Sequence, residues 1–332
     1  MKFLVLTDML TSPNNGLPEL FPLSHRSLLN GCGRPHGLDF RDAEVLAVFP
    51  DQSGVLDHML GSKAEGVPDF GPLVKGKYLK GEYAFYLEKL YDRIAHEQAD
   101  CILTLGPVAT WALLGTANVR DIRGVAHEST APLRQPIKVF PTYHPRSIFA
   151  EWELRAVLYA DLCKFAHERT FPEVRRPSRE IWIEPDLGDL VRFEQQHILP
   201  APQLSIDIET AGKLITCIGF APTESVALVV PFVTKQGLYW DSESKEVLAW
   251  QWVKHICRLP KAVCGQNFLY DAHHLWRNYG ITVPHVEDDS MLLHHAMQPE
   301  LPKKLSFLAS LYTYEASWKF MRKEVKTIKK ED

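Results

Sequence analysis

The stretch "LSIDIET" (Leu204–Thr210) decides how the second half of this 332-residue chain is read. Leu204, Ile206 and Ile208 alternate with Ser205, Asp207 and Glu209. A period of two marks a β-strand, because successive side chains point to opposite faces. The apolar start predicts a buried strand, with two carboxylates crowded on one face. Burying one charge is costly without a partner, and two like charges cost more. The stretch therefore predicts a counter-charge.

Further along, "GQNFLYDAHHL" (265–275) places Asp271 just after a strand and at the start of a helix, flanked by Asn267 and Tyr270. A divalent cation would relieve the repulsion among Asp207, Glu209 and Asp271. Hard ions such as Mg²⁺ (or Mn²⁺) prefer oxygen ligands. Two such ions about 4 Å apart activate a water and stabilise the leaving oxygen of a phosphodiester. The His pairs at 273–274 and 294–295 invite a zinc reading, but adjacent helical residues diverge and form no clean chelate.

The bulk numbers bound the class. Hydrophobic content of 45% and charged content of 23% are ordinary for a globular protein, and the length allows two domains. No apolar run approaches the length of a membrane span, so no membrane partner is expected. "MKFLVLTDML" reads as a strand rather than a signal peptide, since Asp8 interrupts it and no small-residue cleavage site follows. Six scattered cysteines without a CxxC argue against an iron–sulfur cluster, a zinc knuckle or a disulfide framework, and fit a reducing cytoplasm. The net charge of −4 is not that of a protein that coats nucleic acid. An acidic total still suits an enzyme whose carboxylates hold metal. The basic stretch "KFMRKEVKTIKKED" reads as a solvated helix or a frayed tail.

The first half alternates strands and helices, which implies an α/β fold with a parallel sheet covered on both faces. Strands are predicted at 2–7, 43–50, 100–106 and 137–145, with helices at 81–96, 107–115 and 146–169. Ligands in such folds sit at the carboxyl ends of strands, where Gly106 and the "TYHP" turn fall. "TFPEVRRPSRE" (170–180) breaks the pattern and reads as a linker. Beyond it come a helix near 186–197 and the opening stretch. Strands at 214–221 and 225–232 then complete an antiparallel meander. A helix at about 244–257, a strand at 262–267 and helices near 270–279, 289–297 and 303–311 make a mixed sheet.

"DIET", "GQNFLYD" and "EDDSMLLHHAMQPELPKKLSFLASLYT" together resemble the 3′–5′ exonuclease domain of family A DNA polymerases, phage forms especially. The resemblance spans about 180 to 320. It matches Asp207 and Glu209 to the first motif, Asn267, Tyr270 and Asp271 to the second, and Asp289, Met291 and Leu292 to the run that follows. It implies that Asp207, Glu209 and Asp271 hold two metal ions, and that Thr210 and Asn267 place the terminal nucleotide. The family's third motif, YxxxD, has no match: "YTYEASWKF" (312–320) has no Asp four residues after a Tyr, and Asp332 alone follows Asp289. The expectation is an incomplete site, in a fragment or subunit that works with a downstream polymerase domain or a split polymerase partner.

"CILTLGPVATWALLG" (101–115), "IRG" (122–124) and "KVFPTYHPRSIF" (138–149) resemble a uracil-DNA glycosylase of the thermophilic, bacterial type. By that resemblance His144 contacts the uracil carbonyl, and Arg146 and Ser147 approach the DNA backbone. The family's first motif, GExPG, is replaced by "TDMLT" (7–11), where Asp8 stands in the place of the acid. The iron–sulfur cysteines are missing, and Gln52 occupies the region of the base-reading Asn.

The expected organisation is a three-layer, parallel-sheet glycosylase-like domain over 1–172. A linker with the first exonuclease elements follows over 173–203, and an RNase H-like mixed-sheet exonuclease domain over 204–332. The expected function is proofreading at a single-stranded DNA 3′ end, beside a non-catalytic DNA- or protein-binding module, in the cytoplasm of a bacterial host. A base-excision enzyme and a non-catalytic replication scaffold are the alternatives.

Overall fold

The computed structural model describes residues 2–10, 21–41, 43–53, 56–68 and 70–315. The basic C-terminal stretch, the part of "YTYEASWKF" beyond Glu315, and Thr11 at the end of "TDMLT" lie outside them. The chain divides into two compact units. The first runs to Arg175 and resumes at Lys304; the second spans Arg176–Lys303.

In the first unit the strands are β1 (Phe3–Leu10), β2 (Val45–Ser53), β3 (Leu60–Gly61), β4 (Tyr78–Leu79), β5 (Cys101–Leu105), β6 (His127–Glu128) and β7 (Lys138–Thr142). Five of them form a sheet in the order β2-β1-β5-β7-β6, parallel except for the β6–β7 edge. β3 and β4 pair separately. The helices are α1 (Leu23–Gly33), α2 (Phe85–Glu97), α3 (Pro107–Leu114), α4 (Val119–Ile122), α5 (Pro145–Ala150) and α6 (Leu154–Glu168). The apolar runs of the central strands face both ways, as strands buried on two sides must. Leu4 and Leu6 pack with Leu87, Leu90 and Trp111 of α2 and α3. Val5 and Phe140 pack with Leu29 of α1 and with Leu158 and Phe165 of α6. The unit is thus three layers, helices on each side of a sheet. Each such fully buried side chain contributes about 1.5–3 kcal/mol.

The single helix expected over 146–169 is two helices, α5 and α6, separated at Glu151–Glu153. No Gly or Pro marks that break. The helix expected near 303–311 is α11 (Leu305–Tyr312), and it packs on α4 and α6 of the first unit.

The second unit is built on strands β8 (Glu180–Trp182), β9 (Gln203–Ala211), β10 (Leu214–Ala221), β11 (Val226–Pro231), β14 (Ala262–Gly265) and β15 (Val286–Asp289), in the order β15-β14-β9-β10-β11-β8. β12 (Val233–Thr234) and β13 (Gly237–Leu238) pair apart. β9, β10 and β11 are the antiparallel meander, while β14 runs parallel to β9, and β15 to β14. Helices α7 (Leu187–Phe193), α8 (Glu243–Cys257), α9 (Leu269–Tyr279) and α10 (Ser290–Met297) complete it. Ala249, Trp252, Val253 and Ile256 of α8 recur at helical spacing and pack into one core with Ile206, Ile208, Ile218 and Phe220. The unit is a mixed α/β fold. Strand β15 has no counterpart in the sequence reading, because its acidic "VEDD" carries no apolar alternation.

Candidate functional site

β9 is the central strand of the second sheet, and its alternation is that of the sequence. Leu204, Ile206 and Ile208 are buried, whereas Asp207 and Glu209 lie exposed on the other face. The expectation that this carboxylate face is buried is therefore corrected: solvent reaches both acids. Across the ladder, Cys217 lies opposite Glu209. Burial first, then the charges of Glu209 and Asp207, push its thiol pKa up.

Asp271 arrives on the first turn of α9 and is 4% exposed. Its Oδ1 accepts the backbone N–H of Ile208, 2.9 Å away. The reason lies in the ladder: β14 pairs with β9 only through Gln203–Ser205, so the Ile208 amide beyond it needs another acceptor. Burial, followed by the charges of Asp207 and Asp289, pushes the Asp271 carboxyl up to about 6, against the Ile208 hydrogen bond. Two residues far apart in sequence thus feel one another's charge.

The turn between β14 and α9 is held by Asp289. Its carboxylate accepts from Asn267 N (3.0 Å) and Phe268 N (2.8 Å), and caps α10 through Met291 N (2.8 Å). Burial raises its pKa, but these backbone bonds outweigh that and hold it low. Asn267 has a φ of +56°, a left-handed conformation that Asn tolerates better than most residues. Tyr270, 45% exposed, bonds through its hydroxyl to Thr210 Oγ1 at 2.8 Å. The structure therefore gathers Asp207, Glu209, Thr210, Tyr270 and Asp271 around the end of β9. Asn267 lies in the turn just before α9.

Among the described residues no group of three His, Cys, Asp or Glu side chains closes on one point as a metal cage. The donor set is nonetheless all oxygen, with two acids facing solvent. That suits Mg²⁺, which keeps several waters and is commonly held by one or two carboxylates.

The first unit has a second constellation, at the carboxyl ends of β1, β5 and β7. His144 caps α5, its Nδ1 accepting the Arg146 N–H at 3.1 Å. The neutral ring then carries its hydrogen on Nε2, 3.0 Å from Thr7 Oγ1, which accepts it. Burial, then His25 and Arg146, push the His144 pKa down to about 3. His25 of α1 meets it edge to face at 5.2 Å and stacks on Phe149. Burial and Arg146 push His25 down to about 4, and its buried Nδ1 has no hydrogen-bond partner among the described residues. Asp8 accepts the Ala109 N–H at 3.1 Å, on the first turn of α3. Burial drives its carboxyl up to about 7, against the α3 amides and Arg146. Gly106 lets these groups meet: its φ is +89°, and a Cβ there would sit 2.9 Å from that of His144.

Ser147 joins the α5 turn through its N–H to the His144 carbonyl. Gln52 is turned to the Tyr86 hydroxyl, 3.0 Å away, instead. Thr7 and His25 carried no sequence signal for this site: one is a strand threonine and the other lies on a helix without a motif. All six cysteines are free, and no helix among the described residues is long and apolar enough to cross a membrane.

No protein-family model matches the chain. No curated protein matches it either. Among solved structures, the EXD2 exonuclease domain soaked in Mg is similar at 16% identity and a TM-score of 0.27, over 35% of this chain and 58% of that one. The same domain soaked in Mg and dGMP is similar at 15% identity and a TM-score of 0.28, over 40% and 68%. The chain thus spans less than two thirds of the first of these structures, and likenesses this slight bear on neither fold nor activity.

Proposed function

We propose that the second unit is the 3′–5′ exonuclease module of a family A-type DNA polymerase, cleaving phosphodiesters at a single-stranded DNA 3′ end with Mg²⁺ or Mn²⁺. The observation that carries this reading is the bond from Asp271 to the amide of Ile208, the residue that separates the two outward-facing acids in β9. Asp207 and Glu209 would hold the ions, with Asp271 completing the charge. Bound ions would supply an activated water and stabilise the leaving oxygen. The exposed Tyr270 ring offers a stacking face for a terminal base, and Thr210 and Asn267 offer it hydrogen bonds. The fourth carboxylate of the family's site has no counterpart among the described residues and would come from a polymerase partner, so activity of this chain alone is weak.

Mn²⁺ titration followed by electron paramagnetic resonance tests the metal site independently of turnover. The wild-type chain binds Mn²⁺ and shortens a 5′-labelled single strand slowly in its presence; Asp207→Ala abolishes both. Full Mn²⁺ binding by Asp207→Ala would overturn the assignment.

For the first unit we favour a DNA- or protein-binding module of glycosylase type. One observation favours a catalytic second reading: Asp8, His144 and His25 form a desolvated cluster of titratable groups at the strand ends. Incubation with uracil-containing single-stranded DNA, then alkaline cleavage, separates the two. Strand breaks at uracil that vanish in Asp8→Asn would establish base excision; intact strands leave the binding module.

A further inference from the structure

The first unit contains a buried ion network that neither functional reading uses. Arg123 and Asp161 are each 0% exposed, and Arg123 Nη1 donates to Asp161 Oδ1 at 2.5 Å. Thr142 Oγ1 donates to the other carboxylate oxygen at 2.7 Å. Lys164, on the next turn of α6, is 7% exposed. Two cations thus stand over one anion in a dry interior, which by itself is unfavourable. Burial pushes the Asp161 carboxyl up and Lys164 down.

The missing negative partner is the carboxyl end of α11. Lys164 Nζ donates to the carbonyls of Ser310 (2.5 Å) and Thr313 (3.0 Å). Arg123 Nη2 donates to Ser310 Oγ at 3.0 Å, and its guanidinium lies 5.3 Å from the centre of the Phe307 ring. The last carbonyls of a helix lack intrahelical donors and carry the negative end of its dipole, so cations cap them well. Gly124 makes the approach possible: its φ is +73°, and a Cβ there would meet Asp161 Oδ1 at 2.5 Å and the Ser310 carbonyl at 3.0 Å. Leu308, Ala309 and Leu311 are buried beside this cap.

We infer that α11 is a clasp that completes the first unit, and that the nuclease-like second unit is an insertion within the first rather than a domain that follows it. The first unit leaves the chain at Arg175 and takes it back at Lys304. A cut at the linker would then not free the two pieces, because the second piece carries α11.

The test uses the full chain with a site-specific protease sequence inserted between Arg175 and Arg176, in an exposed irregular run. After cleavage the two pieces are expected to co-elute in gel filtration. The same cut chain carrying Leu308→Asp and Leu311→Asp is expected to separate into two peaks, since both side chains lie in the clasp and outside the second unit. Separation of the cut unsubstituted chain, or co-elution of the double variant, would overturn the proposal. Hydrogen exchange on the uncut chain reads the clasp directly. Arg123→Met should speed exchange across 305–312 by tenfold or more while the second unit is unchanged; unchanged protection at 305–312 would also overturn it.

Discussion

The two candidate sites handle charge in opposite ways. At the strand ends of the first unit, burial disfavours charge: His144 and His25 are driven down to about 3 and 4, and Asp8 up to about 7. On β9 of the second unit, Asp207 and Glu209 face solvent, and only Asp271 is drawn inside. Side chains that burial holds uncharged suit contact with an uncharged group such as a base. An open pair of carboxylates suits a hydrated cation and the phosphate it would neutralise. The two sites thus differ in how far water reaches.

The largest expected effect breaks the comparison if it goes the wrong way. Asp207→Ala should lower Mg²⁺-dependent shortening of a DNA strand by about a hundredfold or more, the scale of losing one charge-stabilising group. Its melting temperature should not fall, because the side chain is exposed. His144→Ala should do the reverse. It strands Thr7 Oγ1 and the Arg146 amide in a buried site, costing about 1–3 kcal/mol in chemical denaturation. Nuclease activity should be untouched. If His144→Ala lost the nuclease and kept its stability, the division of labour drawn here would fail.

The β9 site was largely legible in the sequence. Alternation in "LSIDIET" separates Ile206 and Ile208 from Asp207 and Glu209, and the structure keeps that division. The carboxylate face is exposed where the sequence predicts burial, because alternation tells which residues share a face, not whether another layer covers it. The Asp271–Ile208 bond spans 63 residues, and no local pattern encodes where the β14 ladder stops. The first-unit cluster was half legible: the "TYHP" turn and Gly106 mark strand ends, but His25 arrives from a helix with no motif. The destination of α11 was not legible at all. An apolar helix periodicity fits either core, and the cap that selects one comes from Arg123 and Lys164, more than a hundred residues earlier.

A smaller effect sharpens the comparison through pH. The Asp8 carboxyl has a folded pKa of about 7, above its ordinary 3.8. Between those values the folded chain holds a proton that the unfolded chain has released. Asp8 therefore contributes stability below about pH 4 and loses it as pH rises through about 7. Asp8→Asn never ionises, so it should be more stable than the parent at about pH 8, and the difference should vanish near pH 4. Chemical denaturation of both chains at the two pH values reads the difference. His25 and His144 act with the opposite sign. Their folded values lie below 6.5, so their contribution is present above 6.5 and is lost as pH falls through about 4 and 3. Both chains share that acid loss, so the difference between them isolates Asp8. A difference that grows toward acid would contradict the assignment of a neutral carboxyl.

The smallest effect separates the two things Tyr270 does. Its hydroxyl bonds Thr210, and its half-exposed ring faces solvent beside the carboxylates. An exposed hydroxyl pair contributes little, because water replaces either partner, so Tyr270→Phe should change stability by no more than about 0.5 kcal/mol. Base stacking needs the ring alone, so Tyr270→Phe should also bind single-stranded DNA as the parent does. Tyr270→Ala removes the ring and should weaken that binding by about 1–3 kcal/mol, measured by fluorescence anisotropy on a short labelled strand. Equal losses in Phe and Ala would mean that the hydroxyl, through Thr210, does the recognising. Tyr270 would then belong to the polar edge of the β9 site, and the base would need another face to rest on.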